Sequence, residues 1–360
     1  VPLTLSIEND DSQWDRARSS KEVIYAQIIS DLENAESRLW NKSETSGADM
    51  GRATKGAAQA MLVKVYMYMH EYAKAKEWGD KFLQDQAAEY SLAPDFASNF
   101  TIAGENNEES IFEIQYANEA TSDYGSGNGS TRGTFTQVLT RSRSTNMGDE
   151  GWGFNKPTHN LYNEYEEADS LRRDATIILL DSAHLGEQDT YLGTSYLNRK
   201  TGLYNADGTG YTYKNAHNTR GVLNNKQYRL ADFYLLYAEA CLGIGDASTA
   251  TIYLNKVRTR VGLPTYPGYT FKVNGEEITS PTLEEAIRHE RRMELAMEGH
   301  RWFDLCRWGV AYEVMTAYMA LESSEAKAEM QPFKKGVHEL LPIPNKQRQL
   351  NPSLTQNPGY

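Results

Sequence analysis

The sequence contains no long apolar run. No stretch reaches the roughly 18 consecutive apolar residues that a membrane-spanning helix needs, and the mean hydropathy is −0.65. The N-terminus, VPLTLSIEND, also lacks the basic segment and the apolar core of a signal peptide. The sequence therefore predicts no membrane span, and we expect any export signal to have been removed or to lie upstream.

Cysteine is scarce, with only Cys241 and Cys306 in the chain. Both lie in apolar helical patterns, where a small buried thiol is more common than a disulfide. The cysteines therefore indicate little about the compartment in which the protein works.

Several catalytic patterns are missing. The chain has no Gly-x-Ser-x-Gly nucleophile elbow and no phosphate-binding loop, and its seven histidines are scattered. HERRM begins like a zinc-protease helix, but Met293 stands four residues after His289, where the second ligand is required. The glycine-rich residues 125–133 follow no strand-to-helix pattern, and NADGTG is followed by Ala216 where a calcium loop needs its closing glutamate. We predict no catalytic residue, no metal site and no cofactor.

Basic residues are outnumbered, since 37 Lys and Arg stand against 49 Asp and Glu and give a formal charge of −12. Nucleic acids and anionic membrane surfaces reward clustered positive charge. The sequence therefore predicts no nucleic-acid partner and favours neutral or cationic ligands.

Helical periodicity is the strongest positive signal. With 360 residues, of which 39% are hydrophobic, the chain is long enough for a large core in one or two domains. Apolar residues at helical spacing predict one helix in residues 19–39 and helical hairpins in residues 51–85 and 229–263. Alanine and glycine inside these hairpins permit close helix packing of the tetratricopeptide type, in which each hairpin needs a neighbour. The predicted fold class is mostly α, with tetratricopeptide-like hairpins and a loop-rich, irregular C-terminal elaboration.

Residues 104–228 have a different composition, dominated by Gly, Asn, Ser, Thr and Tyr. A short helix is predicted at residues 160–167, and turns are predicted at Asp207–Gly208 and Asn274–Gly275, each between short strands. Long loops in a compact domain are often functional. The aromatic residues of this region are interleaved with polar ones: Tyr124, Phe135, Trp152, Phe154, Tyr191, Tyr196, Tyr204, Tyr211 and Tyr213.

This combination suits a sugar ligand. A pyranose ring stacks its C–H face on Trp or Tyr and needs polar side chains for its hydroxyl groups. Trp152 is the best candidate for an exposed ring because glycines flank it in EGWGFN. We predict that Trp152, Tyr124, Asn155 and Phe154 bind the ligand, although any single tyrosine of the region is more often a packing residue.

The stretch ERRMELAMEGHRWFDLCRWG alternates charged and apolar residues. Glu290, Glu294 and Glu298 share one helical face, as a dinuclear carboxylate site requires, but no Glu-x-x-His partner exists. We predict instead a half-buried helix whose Arg and Glu side chains pair with neighbouring elements. The residues expected to pack are Leu295, Trp302, Phe303 and Leu305, and those expected at turns or close approaches are Gly299 and Gly309.

Several stretches resemble one family of proteins. RHERRMELAMEGHRWFDLCRWG resembles the signature helix of the SusD/RagB family, and LLPIPNKQRQLNPSLTQNPGY resembles its C-terminal ending. GRATKGAAQAMLVKVYMYM, RLADFYLLYAEA and LNKVRTRVGLP resemble its tetratricopeptide helices. The residues matching the structural signature are Arg288, Glu290, Arg291, Glu294, Glu298, Gly299, Arg301, Asp304, Arg307 and Trp308.

The resemblance implies a domain organisation. It implies one SusD-like α-α superhelical domain over residues 1–360, without the N-terminal segment usual in the family. Its parts would be a helical region with the first hairpin (19–103), a loop-rich ligand-binding region (104–228), the second hairpin (229–263), and the signature helix with a C-terminal tail (264–360).

The resemblance also implies a function. A SusD-like protein binds glycans at the extracellular face of the outer membrane without cleaving them, and passes them to a SusC-like TonB-dependent transporter. It is attached to the membrane only by an N-terminal lipid. That lipid would lie on a cysteine before residue 1, so neither Cys241 nor Cys306 is expected to carry it.

Two alternatives remain open at this point. One branch of the family, resembling RagB, serves peptide uptake, and the acidic charge would suit cationic peptides. The other alternative is a glycoside hydrolase, in which carboxylates such as Glu164 and Asp169 would cleave the glycosidic bond.

Overall fold

The computed structural model of the protein describes residues 1–6, 15–118, 132–143, 151–179, 195–206, 208, 210–214 and 220–360. Helices dominate these residues, and the strands are short. The helices are α1 (Lys21–Glu36), α2 (Lys55–Tyr68), α3 (Tyr72–Asp85), α4 (Thr136–Thr140), α5 (His159–Glu164), α6 (Ser170–Thr176), α7 (Arg199–Gly202), α8 (Leu230–Gly243), α9 (Ala247–Arg260), α10 (Leu283–Leu295), α11 (Arg301–Arg307), α12 (Ala311–Leu321), α13 (Ser324–Glu329) and α14 (Asn345–Leu350). The strands are β1 (Ser110–Ile114), β2 (Ile177–Leu179), β3 (Tyr196–Asn198), β4 (Asn225–Arg229), β5 (Phe271–Val273) and β6 (Glu276–Ile278). None of the helices in the described ranges has both the length and the apolar character needed to cross a bilayer.

The two helical hairpins are confirmed as α2–α3 and α8–α9. Thr54 caps α2 by accepting a hydrogen bond from the Ala57 amide at 3.2 Å, and Asp246 caps α9 in the same way through Thr249 at 3.1 Å. Side-chain caps of this kind satisfy amide groups that have no partner within the helix. Between α2 and α3 the chain reverses at His70, whose φ is +59°.

The hairpins bury their apolar faces against each other, because α3 and α2 both pack on α8. Gly79 makes the closest of these approaches possible, since a Cβ atom at this position would lie 2.2 Å from the Tyr237 ring. Phe82 and Phe233 meet nearby, with ring centroids 4.2 Å apart. The remaining hairpin surface is covered by α1, which packs on α2, and by α10, which packs on α8 and α9. This arrangement confirms that each hairpin has neighbours.

The charged stretch forms two helices, and the expectation of one continuous helix is wrong. α10 ends at Leu295, and the chain turns through Met297 (φ +67°) and Gly299 (φ +84°) before α11 starts. Gly299 serves this turn and no close approach, because no atom lies within 4 Å of its potential Cβ position. Phe303 was expected to pack but is 53% exposed.

Buried ion pairs join α10 to its neighbours. Glu290 accepts a hydrogen bond from Arg258 at 2.8 Å, and Glu294 accepts one from Arg260 at 2.6 Å and another from Arg172 at 3.0 Å. All five side chains have 3% exposure or less. The carboxylates that could have suggested a dinuclear metal site are therefore neutralised by arginines, as the sequence predicted. Buried pairs of this kind hold geometry because a charge left without its partner is costly.

Glu298, in the turn after α10, extends this network. Its carboxylate accepts hydrogen bonds from Arg229 Nε at 2.7 Å and Lys200 Nζ at 2.6 Å. Burial alone would raise the pKa of Glu298, but the two cations outweigh it and lower the pKa from 4.5 to about 2.

We expect this carboxylate to make the fold sensitive to acid. A depressed carboxyl pKa stabilises the folded state above the unfolded pKa, and this stabilisation is lost as pH falls through the folded pKa. Glu298 should therefore contribute on the order of 3 kcal/mol at neutral pH that disappears between about pH 5 and pH 2. Urea unfolding of the wild type and of Glu298→Gln across this range is the measurement. The gap between the two free energies of unfolding should narrow as pH falls, and a constant gap would contradict the prediction.

The region of residues 104–228 combines short elements with irregular chain. β1 pairs antiparallel with β4, which opposes Phe112 to Tyr228, and β2 pairs antiparallel with β3. The predicted helix near residue 160 is confirmed as α5. Of the predicted Asp207–Gly208 turn, Asp207 lies outside the described residues, and a single bridge between Tyr204 and Tyr211 stands where strands were expected. The other predicted turn is confirmed, because Asn274 (φ +54°) and Gly275 (φ +86°) connect β5 to β6.

Candidate functional site

The segment 151–154 lies along the C-terminal end of α4. Trp152 N donates to the Val138 carbonyl at 2.7 Å, and Phe154 N donates to the Leu139 carbonyl at 2.7 Å. The amides of residues 151 and 153 donate to the carbonyls of residues 142 and 141, at 2.8 and 3.0 Å. The last carbonyls of a helix have no partner within it. This segment supplies partners at the end of α4 and is itself held in place.

Two glycines make this close approach possible. A Cβ atom at Gly151 would lie 2.3 Å from the Arg141 carbonyl oxygen. Gly153 has φ +66°, and its Cβ would lie 2.8 Å from the Arg143 side chain. The glycines of EGWGFN therefore serve the backbone contact with α4, in addition to leaving room around the indole of Trp152 as the sequence predicted.

The rings of this segment are presented to solvent. Trp152 is 38% exposed and Phe154 is 56% exposed. Their centroids are 6.2 Å apart in an edge-to-face arrangement, and Phe135 supports Trp152 from behind at 5.4 Å, also edge to face. Asn155 follows with φ +52°, a conformation that asparagine tolerates better than most residues.

These side chains line a cavity of about 570 Å³, here called the aromatic cavity. Its opposite wall comes from α12, α13 and the chain next to them. The lining residues of the aromatic cavity are Arg143, Trp152, Gly153, Phe154, Asn155, Lys156, Pro157, Thr158, His159, Tyr318, Glu322, Ala326, Glu329 and Met330. The volume lies within the range typical of small-molecule sites, about 300–1,000 Å³.

A second cavity of about 280 Å³, here called the arginine cavity, adjoins the first. The two cavities share Lys156, Pro157, Thr158 and Tyr318. The arginine cavity is otherwise lined by the side chains of Asn160, Leu161, Asn274, Arg291, Arg292, Leu295, Ala296, Met297, Arg301, Asp304, Leu305, Val314 and Met315. The exposed rings of Trp152 and Phe154 line only the aromatic cavity, and three of the arginines line only the arginine cavity.

The structure brings three of the four predicted ligand-binding residues together. Trp152, Phe154 and Asn155 all line the aromatic cavity, whereas Tyr124 lies outside the described residues. Their role in binding stays a prediction.

The other aromatic residues of the region are less available. Tyr196 and Tyr204 are buried in small apolar clusters, Tyr211 and Tyr213 are half-buried, and Tyr191 lies outside the described residues. Tyr196 also stacks on Tyr162 at a centroid distance of 4.7 Å. The buried pair, Tyr196 and Tyr204, therefore pack, as the sequence predicts for most tyrosines here.

Sequence reasoning missed the C-terminal wall of the site. Tyr318 and Glu322 face the ring-bearing segment across the aromatic cavity, but no local motif distinguishes them from other residues of an amphipathic helix. Both residues are far from Trp152 in sequence, and only the tertiary packing brings them close to it.

Most residues of the signature region have the structural role that was expected. Arg291 pairs with Asp232 at 2.8 Å and with Asp304 at 2.9 Å, and Arg307 pairs with Asp304 at 2.9 Å. Trp308 donates its indole N–H to Glu239 at 2.9 Å.

The arginines around Trp308 differ in their partners. The guanidinium groups of Arg288 and Arg307 each lie 4.9 Å from the centre of the Trp308 ring, and Arg288 also pairs with Glu284. Arg301 departs from the expectation that the arginines pair, because it forms no ion pair with any described residue and lines the arginine cavity.

The two carboxylates considered for glycoside hydrolysis are bound by arginines. Glu164 is bound by Arg292, and Asp169 accepts hydrogen bonds from Arg172 at 2.6 and 2.9 Å. Burial raises the pKa of both carboxyls, that of Asp169 to about 6. Neither residue lines either cavity.

His289, the first residue of HERRM, is also engaged. It stacks on Phe271 at 3.9 Å, and burial, followed by the charge of Arg172, holds its pKa well below the ordinary value. Within the part of the chain that the structure describes, no group of three or more His, Cys, Asp or Glu side chains could hold a metal ion.

The family model of the SusD family matches residues 181–360, which is half of the chain. This protein belongs to the SusD family. A SusD-like protein of Bacteroides ovatus is 29% identical over 318 residues, which cover 81% of this chain and 52% of that protein. The chain therefore spans about half the length of this SusD-family relative.

Solved structures of SusD-family proteins share the fold. A laminarin-binding SusD-like protein is 31% identical, with a TM-score of 0.75, and the match covers 100% of this chain and 74% of that one. Surface glycan-binding protein A from Bacteroides thetaiotaomicron, solved in complex with laminarihexaose, is 25% identical with a TM-score of 0.73 over 95% of this chain and 72% of that one. These findings confirm the family and the mostly α, superhelical fold that the sequence predicted.

Proposed function

We propose that this protein binds a glycan noncovalently in the aromatic cavity. The observation that carries the proposal is the pair of exposed rings, Trp152 and Phe154, on the wall of a 570 Å³ cavity with Asn155 beside them. A sugar ring would stack on the indole and direct its hydroxyl groups to polar neighbours. The glycan-binding SusD-family relatives support the same ligand class.

The polar groups of the cavity suit hydroxyl groups. Asn155 and Thr158 each offer donor and acceptor atoms, and Glu322 offers acceptors on the opposite wall. A site that pairs apolar rings with a few polar groups obtains affinity from stacking and orientation from hydrogen bonds. This division of roles is what an oligosaccharide requires.

The wider biological role is proposed from the resemblance to the family. We infer that the protein lies at the extracellular face of a Bacteroidetes-type outer membrane, held by an N-terminal lipid. It would pass its glycan to a SusC-like TonB-dependent transporter without cleaving it. The division into parts at residues 19–103, 104–228, 229–263 and 264–360 is proposed on the same basis.

The experiment that tests the function is calorimetric titration of the protein with laminarin oligosaccharides, other neutral polysaccharides, acidic polysaccharides and a peptide digest. Binding to a glycan, without reducing-sugar release afterwards, is the expected result. Release of reducing sugar would favour a glycoside hydrolase. Binding to peptides alone would favour a RagB-like uptake protein, for which Glu322 and Glu329 in the cavity would provide contacts to cationic side chains.

We expect Trp152→Ala to weaken glycan binding. Loss of one stacking ring should cost about 1–3 kcal/mol, by analogy with bases stacked on aromatic side chains. Calorimetry with the best glycan of the panel is the measurement. Trp40→Ala is the matched control, because Trp40 is also exposed, at 53%, and does not line the cavity. Equal affinities of Trp152→Ala and Trp40→Ala would mean that the glycan binds elsewhere.

A further inference from the structure

Arg301 stands apart from the arginines around it. In α10 and α11, Arg288, Arg291, Arg292 and Arg307 each pair with a carboxylate. Arg301 pairs with none in the described ranges, and its recorded contact is the Trp308 ring, 5.9 Å from its guanidinium carbon. Its positive charge therefore has no direct counter-ion in the described part of the protein.

The surroundings of Arg301 do not compensate for this charge. Burial, and then repulsion from Arg292, lower the pKa of Arg301 from its ordinary value to about 10. The two carboxylates that act in the opposite direction, Glu164 and Asp304, are already bound by Arg292, Arg291 and Arg307. Arg301 is half-buried, and a guanidinium that is partly withdrawn from water is ordinarily paired because an uncompensated charge is unfavourable there.

Arg301 lines the arginine cavity, whose remaining wall is largely apolar. Leu161, Leu295, Leu305 and Val314 contribute to it. Among the described residues of the lining, Asp304 supplies the one carboxylate, and it accepts hydrogen bonds from Arg291 and Arg307. A group that enters this cavity meets these apolar side chains, the cations Lys156 and Arg292, and the guanidinium of Arg301, which has donors to offer. Planar guanidinium groups match the oxygen atoms of carboxylates and sulfates especially well.

We propose that the arginine cavity receives the anionic substituent of the glycan, a carboxylate or a sulfate ester, and that Arg301 binds it. The inference rests on the proposed glycan-binding function and names the ligand class more narrowly. Because the two cavities adjoin and share four lining residues, Lys156 among them, one saccharide can stack on Trp152 and place its anionic group beside Arg301.

The charges that line the two cavities differ in balance. The aromatic cavity has Glu322 and Glu329 beside Arg143 and Lys156, whereas the arginine cavity has Asp304 beside Lys156, Arg291, Arg292 and Arg301. An anionic group therefore meets the larger excess of positive charge in the arginine cavity. The protein thus binds an anionic glycan despite its net charge of −12, because the residues that line the arginine cavity determine the electrostatic potential inside it.

The test uses matched oligosaccharide pairs that differ only in charge: a sulfated oligosaccharide with its desulfated form, and a uronic acid oligosaccharide with its carboxyl-reduced form. The wild type is expected to bind the charged member of at least one pair about tenfold more tightly, as a charge-assisted hydrogen bond provides. The pair that shows the preference identifies sulfate or carboxylate. Arg301→Gln should abolish the preference. Arg288→Gln should retain it, because Arg288 also lies against Trp308 but does not line the cavity.

Two further variants keep the test decisive if Arg301→Gln does not fold. Arg301→Lys keeps the charge but loses the planar donor pair, so the preference should fall and not vanish. Val314→Trp leaves Arg301 in place and fills the cavity, so the preference should be lost. Binding of neutral and charged members with equal affinity by the wild type would overturn the subsite and leave the proposed glycan binding intact.

A measurement without saccharide separates the two proposals. Inorganic sulfate, compared with chloride at equal ionic strength, should raise the thermal unfolding temperature of the wild type more than that of Arg301→Gln. If no oligosaccharide binds, the glycan-binding proposal fails and the anionic-glycan inference fails with it. The sulfate measurement then still decides whether Arg301 binds an anion, and an equal response of the two proteins would overturn that as well.

Discussion

Glu294→Ala is expected to destabilise the protein by about 3–5 kcal/mol, the loss typical when one partner of a buried ion pair is removed. Glu294 has no exposed side-chain surface and accepts hydrogen bonds from Arg172, Arg229 and Arg260. Its removal leaves three buried guanidinium groups short of negative charge. Since a domain of ordinary stability unfolds at a cost of about 5–15 kcal/mol, the loss is a large fraction of the total. Guanidinium chloride unfolding monitored by circular dichroism is the measurement.

Glu284→Ala is the matched control on the same helix. Glu284 pairs with Arg288 one turn away, and its side chain is 57% exposed. Exposed pairs of this kind contribute only about 0.2–1 kcal/mol. If the two variants unfold within about 1 kcal/mol of each other, the buried network does not support the fold in the way proposed.

The helical scaffold was predictable because its information is local. The apolar spacing of residues 51–85 and 229–263 repeats with the helical period, and short polar or glycine-containing breaks mark the turns. Helix position and hairpin pairing follow from such patterns. The identity of the neighbours does not, since the packing of α3 on α8 depends on the Gly79–Tyr237 approach, which no local pattern specifies.

The charged stretch was only partly predictable. The alternation of Arg and Glu residues correctly predicted ion pairs. The same residues also fit one continuous helical pattern, so the break between α10 and α11 was not predicted. Gly299 was the signal for that break, but a glycine in this sequence predicts either a turn or a close approach and does not distinguish the two. The exception of Arg301 could not be found from sequence, because pairing depends on which carboxylates from distant elements reach each guanidinium.

The candidate site was also predictable only in part. The flanking glycines, which are a local feature, predicted that the Trp152 ring is exposed, and the structure confirms this exposure. The wall formed by Tyr318 and Glu322 was not found, because helices α12 and α13 come to the site only through tertiary packing. The sequence therefore predicts the part of the site that lies on the segment 151–154, where neighbouring glycines constrain the backbone. It does not predict the part that lies on helices distant in sequence.

That constraint leads to the second large effect, which we expect from Gly151→Val. A side chain at this position would collide with the Arg141 carbonyl oxygen, 2.3 Å from the potential Cβ atom. The segment 151–154 would have to leave the end of α4, and Trp152 and Phe154 would move with it. Glycan affinity should fall about 100-fold, equivalent to about 3 kcal/mol for the combined loss of two rings. The midpoint of denaturant unfolding should change less than the affinity, because the segment packs on the end of α4 and lies outside the main hydrophobic core of the hairpins.

Gly79→Val provides the opposite combination of effects. Its side chain would collide with the Tyr237 ring, 2.2 Å from the potential Cβ atom, at the packing of α3 on α8. Overpacking in a core typically costs about 1–3 kcal/mol of stability, while the folded fraction should bind glycan with unchanged affinity. Calorimetry and denaturant unfolding of both variants should therefore separate a glycine that positions the site from one that permits the fold. Undiminished glycan binding by Gly151→Val would contradict the placement of the site, since no other part of the proposal depends so directly on the backbone of this segment.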